Sequence, residues 1–146
     1  MAKSIVYFTK DITSQSLQRI YHAIGAPLRG KVAVKISTGE PGGHNFLKPE
    51  LIAPLIGQLG GTIVECNTAY EGRRQKTQEH RKTIEEHGFA AVAPYDIMDA
   101  EGEIDLPVTL GSHLTENFVG ENLQNYDSML ILSHFKGHAM GGFGGA

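Results

Sequence analysis

Strand-like and helix-like segments alternate along the first two-thirds of this chain, and that alternation most restricts its fold. A strand, a helix and a second strand in succession imply a parallel pair with the helix packed on a sheet face. Ser4–Phe8, Lys31–Ile36, Thr62–Cys66 and Gly88–Ala93 are short runs rich in apolar or β-branched residues, which predicts strands. Met129-Leu130-Ile131-Leu132, inside Asp127–Ser133, is wholly apolar, as suits a central parallel strand. Lys31–Ile36 alternates apolar residues with Lys and Ala, which predicts one partly wet face.

Three helices fall between these runs. Ser14–Ile24 puts Leu17, Ile20, Tyr21 and Ile24 on one face, with Asp11 or Thr13 as cap and Gly25-Ala26-Pro27 as stop. Pro49 opens a helix to Leu59 whose stripe is Leu51, Ile52, Leu55, Ile56 and Leu59, and Pro54 inside it predicts a kink or a late start. Lys76–His87 is mostly charged, with Ile84 its one clear apolar residue. It is expected at the surface, with His80 and His87 in solvent. Residues 97–119 hold short β-like stretches around a turn at Asp99–Gly102, and Glu121–Asn125 reads as a helical turn. The expectation is one α/β domain over residues 1–146. It would be a mostly parallel sheet with helices on both faces and a short β-rich segment around residues 97–119.

Glycine, 18 of 146 residues, gathers where strands end. In an open parallel sheet the loops after the strands collect at one edge, where ligands bind. Three such loops stand out: Gly39–Asn45, Asn67–Arg74 and His134–Gly145. If their strands are neighbours, His44, Asn67, Tyr70, Arg73, Arg74, His134, Lys136 and His138 surround one cavity. In the last loop Gly141, Gly142 and Gly144 would let backbone N–H groups approach an anion, and Lys136 would add positive charge. His134 and His138 can exchange protons near neutral pH and are the candidate acid and base. Their i, i+4 spacing would suit a metal, but glycine disfavours a helix there and no third ligand stands beside them, so no metal site is assigned. Arg73 and Arg74 either clamp an anionic group or pair with Glu71 and Glu79.

Other classes are disfavoured. The formal charge of −3 leaves no basic footprint for nucleic acid. No apolar stretch approaches the roughly 20 residues of a membrane helix, and no signal peptide is evident, so the expected location is cytoplasmic. Cys66 is the single cysteine, so no disulfide and no iron–sulphur cluster can be built within the chain. It reads as a small buried hydrophobe rather than a nucleophile. The phosphate-binding patterns GxxxxGK[ST] and GxGxxG and the nucleophile elbow GxSxG are absent.

Three ordered motifs carry a family resemblance. They are Val34-Lys35-Ile36-Ser37-Thr38-Gly39-Glu40 with His44-Asn45-Phe46-Leu47-Lys48-Pro49-Glu50, then Asn67-Thr68-Ala69-Tyr70-Glu71-Gly72-Arg73-Arg74, then Leu132-Ser133-His134-Phe135-Lys136-Gly137-His138 with the closing Gly141-Gly142-Phe143-Gly144-Gly145-Ala146. From about residue 31 to the end the chain resembles the domain of unknown function three-hundred-and-sixty-two family, often described as iron–sulphur or ferredoxin-like. The resemblance implies a longer protein, continuing past the final Gly-Gly-Ala and in many members into cysteine-rich ferredoxin motifs. It therefore implies a C-terminally truncated member with surfaces meant for a missing module, which favours self-association. His134, Phe135, Gly142, Phe143, Gly144 and Gly145 are also similar, more weakly, to the substrate domain of nickel-pincer lactate racemases, which use paired histidines on a hydroxy acid.

Three functions follow as expectations. One is binding of a small anionic ligand or cofactor at the carboxyl end of the sheet, in a redox or iron–sulphur-associated domain. A second is acid/base chemistry on a small organic acid, and a third is a scaffold role using the charged helix. Neither the cofactor nor the ligand can be named from the residues.

Overall fold

Four short apolar strands form the centre of the protein, in a computed structural model that describes residues 3–145. Met1, Ala2 and the closing Ala146 of the third motif lie outside the described residues. Strands β1 (Val32–Lys35), β2 (Thr62–Glu65), β3 (Tyr95–Ile97) and β6 (Ser128–Ile131) pair in parallel in the order β3-β2-β1-β6. Helices α1 (Ser14–Ile24), α2 (Pro49–Leu59) and α3 (Thr77–Glu86) complete the α/β frame. Two antiparallel hairpins are added to it: β4 (Glu103–Pro107) with β5 (Glu116–Gly120), and β7 (Lys136–His138) with β8 (Gly142–Gly144). No helix among the described residues is long and apolar enough to cross a membrane.

Strand parity sorts the core into two parts. Val32, Val34, Ile36, Ile63 and Ile97 pack with Ile52 and Ile56 of α2, Ile84 of α3 and Phe89, and Leu17 of α1 packs against this cluster. On the other side Ala33, Val64 and Met98 pack with Cys66, Leu123, Tyr126 and Met129. The cover there comes partly from a 3-10 turn at Glu121–Asn125. Val32, Ala33 and Val34 are all buried, so the wet face expected for β1 is confined to half-buried Lys35.

Local chemistry explains the helix ends. Thr13 caps α1, its side chain accepting from the Ser16 amide, and Gly25 closes it at φ 65°. Pro54 lies inside α2 and cannot donate back to the carbonyl of Glu50. The Ser14 hydroxyl donates to that carbonyl at 3.2 Å, so α1 satisfies the acceptor that the proline leaves free.

Three expectations are corrected. Ser4–Phe8 forms no strand: Ile5, Val6 and Phe8 are largely exposed, so β propensity there finds no partner edge. Gly88–Ala93 is not a strand either. Phe89–Ala91 is a 3-10 turn that buries Phe89, and the edge strand comes after Pro94, at β3. Finally, α3 is not merely a solvated helix, because Ile84, Thr83 and His80 are all buried on its inner face.

Candidate active site

Because β2, β1 and β6 are neighbours, the three loops leaving their carboxyl ends meet. A cleft of about 220 Å³ opens there, lined by Ser37, Gly39, Glu40, Gly43, His44, Asn45, Arg74 and Lys136. Its residues come from behind β1, β2 and β6 in turn. A larger groove of about 510 Å³ near the end of α1, lined by residues such as Tyr21, Gln58 and Leu59, holds no lysine, arginine or carboxylate. The cleft, not that groove, is where charged groups converge.

The first loop has a fixed shape. Glu40-Pro41-Gly42-Gly43 closes a turn through the Gly43 amide, which donates to the Glu40 carbonyl at 2.8 Å. Gly42 sits at φ 71°, the conformation required after proline in a type II turn. Gly39 at φ 87° lies under Phe46, whose ring would be 2.5 Å from an added Cβ. Phe46 stacks on His87 with ring centroids 4.4 Å apart, and His87 Nδ1 donates to the Thr38 carbonyl at 2.7 Å.

Beneath the cleft lies a buried polar network centred on Glu65, the last residue of β2. Its side chain is 4% exposed. Oε2 accepts from the Thr38 amide at 3.1 Å and the Thr38 hydroxyl at 2.6 Å, and it faces His80 Nε2 at 3.2 Å. Oε1 takes the Arg74 guanidinium. Burial alone would push the Glu65 carboxyl up. The His80 hydrogen bond, the Arg74 charge and the Thr38 hydroxyl outweigh it and hold the group below its ordinary value. His80 Nδ1 meets the Asn67 side-chain oxygen at 3.2 Å, and Asn67 donates to Thr77 Oγ1 at 2.9 Å.

Arg74 links this network to the cleft. Its side chain is 7% exposed, and its second terminal nitrogen donates to Glu40 at 2.8 Å. The Tyr70 hydroxyl donates to the same Glu40 oxygen, and that bond pushes the Tyr70 pKa above its ordinary value. Lys136 makes no ion pair among the described residues.

The sequence candidates therefore separate. His44, Arg74 and Lys136 line the cleft, Tyr70 touches its Glu40, and Asn67 supports the buried histidine. Arg73 turns away, pairing with Glu86 at 2.9 Å and Glu79 at 3.5 Å rather than with Glu71. The closing glycines form a β-hairpin, not an open anion loop: Gly142 and Gly144 lie in β8, and Gly141 in the turn. His138 Nδ1 accepts from the amides of Met140 and Gly141 at 3.2 and 3.0 Å, so this ring nitrogen fastens the turn. His134 is half-buried with Nδ1 unpartnered among the described residues and is not in the cleft lining. His80, expected in solvent, is fully buried, and His87 is partly buried and bonded to Thr38. No group of three metal-ligating side chains is found among the described residues.

Thr38, Glu40, Glu65 and His80 escaped the sequence reading. Glu65 alone carried a usable signal. It shares strand parity with Ile63, which marks it as an acid on the core side of β2.

The fold and cleft define an open parallel α/β protein with a polar site at the carboxyl edge of its sheet. The chain belongs to the family described as Domain of unknown function (DUF362), whose model matches residues 32–146. No curated protein and no solved structure matches it.

Proposed function

We propose that this protein binds a small anionic ligand at the carboxyl end of its parallel sheet, in the cleft between Glu40, His44, Arg74 and Lys136. The observation that carries the reading is convergence: Arg74, Lys136 and His44 come from three separate loops and line one space. Arg74 is held by a buried carboxylate, so its guanidinium is fixed in place before any ligand arrives. Lys136 is the cation in that lining without a carboxylate partner among the described residues.

The finer reading, a redox or iron–sulphur-associated role, is supported by the family resemblance. Within this chain Cys66 is a single free thiol, and burial pushes it up to about 11, with the charge of Asp99 adding to the shift. A cluster would have to be held by another polypeptide segment. A cytoplasmic location belongs to the same reading, since a chain with Cys66 as its single cysteine relies on no internal disulfide.

Titration of the full chain with malonate, phosphate and neutral malonamide at constant ionic strength tests the reading. Malonate or phosphate is expected to bind, and malonamide not to. Lys136→Ala should weaken the anion by about fivefold, the effect of removing one solvent-screened charge a few ångströms away. Equal binding of malonamide, or unchanged affinity in Lys136→Ala, would refute an anion site here.

A further inference from the structure

Arg74 faces two carboxylates of different character. Glu65 is buried, belongs to the sheet and neutralises the guanidinium from below. Glu40 is 55% exposed, belongs to the glycine turn and reaches Arg74 from the cleft side. One Glu40 oxygen collects both the Arg74 N–H and the Tyr70 O–H. Two donors from the loop after β2 thus converge on a single carboxylate oxygen of the loop after β1, which lies in a cleft wall.

We infer that the Glu40 carboxylate holds the position a ligand's carboxylate takes, so that the cleft selects small carboxylates which exchange with Glu40 on Arg74 and Tyr70. This rests on the reading of the cleft as an anion site and names its ligand class. A carboxylate is favoured over phosphate by charge balance. Glu65 already takes up much of the Arg74 charge, so the outward face suits one singly charged planar group rather than a dianion. A second carboxylate on the ligand would meet Lys136, which lines the same cleft. Glu40 can leave without opening the core, because its side chain is mostly in solvent and Arg74 keeps its bond to Glu65. The swap conserves hydrogen bonds: two donors lose one carboxylate oxygen and gain another.

An internal competitor lowers apparent affinity by the fraction of molecules in which the site is free. Calorimetric titration of malonate into the wild-type chain, Glu40→Gln and Glu103→Gln measures that fraction. Glu103, on the β4–β5 hairpin, controls for loss of one negative charge. Glu40→Gln should bind malonate about tenfold more tightly, as it would if the site were free in about a tenth of molecules. Glu103→Gln should match wild type, and the gain for inorganic phosphate should be smaller than for malonate. Wild-type binding with no gain in Glu40→Gln overturns the inference while leaving the anion site standing. An equal gain for phosphate overturns the carboxylate class. Absence of malonate and phosphate binding in all three proteins overturns the anion site itself.

Discussion

Glu65 and Arg74 form a buried ion pair at the carboxyl end of β2, their side chains 4% and 7% exposed. Breaking such a pair leaves an uncompensated charge in a low-dielectric setting. Glu65→Gln should therefore lower stability by about 3–5 kcal/mol in denaturant melts. Glu40→Gln, which removes the exposed carboxylate on the same arginine, should cost about 0–1 kcal/mol. Similar losses in the two variants would show that the buried contact is not the dominant one.

The same carboxylate gives the fold an acid limit. Glu65 binds its proton less tightly when folded than at its ordinary value of 4.5. The unfolded chain therefore takes up the proton first as pH falls, and the stabilisation is complete above that ordinary value and is lost as pH drops through the lower, folded one. Stability followed by urea melts should fall more steeply below about pH 4.5 in wild type than in Glu65→Gln. Parallel curves would remove Glu65 as the source.

Two glycines should respond in opposite directions to alanine. A Cβ on Gly120 would lie 2.5 Å from the Met98 carbonyl carbon and 2.7 Å from the Asp99 amide, so backbone must shift. Gly120→Ala should destabilise by about 1–3 kcal/mol. Gly57 is inside α2 with open space around it, and Gly57→Ala should stabilise by about 0.5–1 kcal/mol. Thermal melts of both variants read the signs directly.

Cys66 should be a slow nucleophile. With its thiol pushed up to about 11 by burial, little thiolate exists at pH 8. Its alkylation by iodoacetamide should lag far behind a free thiol and quicken about tenfold per pH unit toward that value. A rate plateau near pH 8 would contradict the buried setting.

Periodicity made the frame legible and contact chemistry did not. The apolar runs at β1, β2 and β6 and the stripe of α2 are local patterns, so residue spacing exposes them. Their adjacency in the sheet brought the three loops together as expected. Ser4–Phe8 misled because a strand needs a partner edge, which its own composition does not encode. His80 misled because its neighbours along α3 are charged, while what buries it are Glu65 and Asn67, distant in sequence. The β7–β8 hairpin was hidden because glycine clusters serve open loops and tight turns alike.

Thr38 is bonded through both of its backbone polar groups, its N–H to Glu65 and its C=O to His87, so the peptide planes before and after it are both held. The glycine turn beyond it therefore departs from a riveted base, and bending can begin only at Gly39. Since the rivet is the carboxylate that also offsets Arg74, direction of departure and local charge cannot evolve separately at this point. A chain that replaced Glu65 would have to re-aim the first loop and rebalance the cleft in one step.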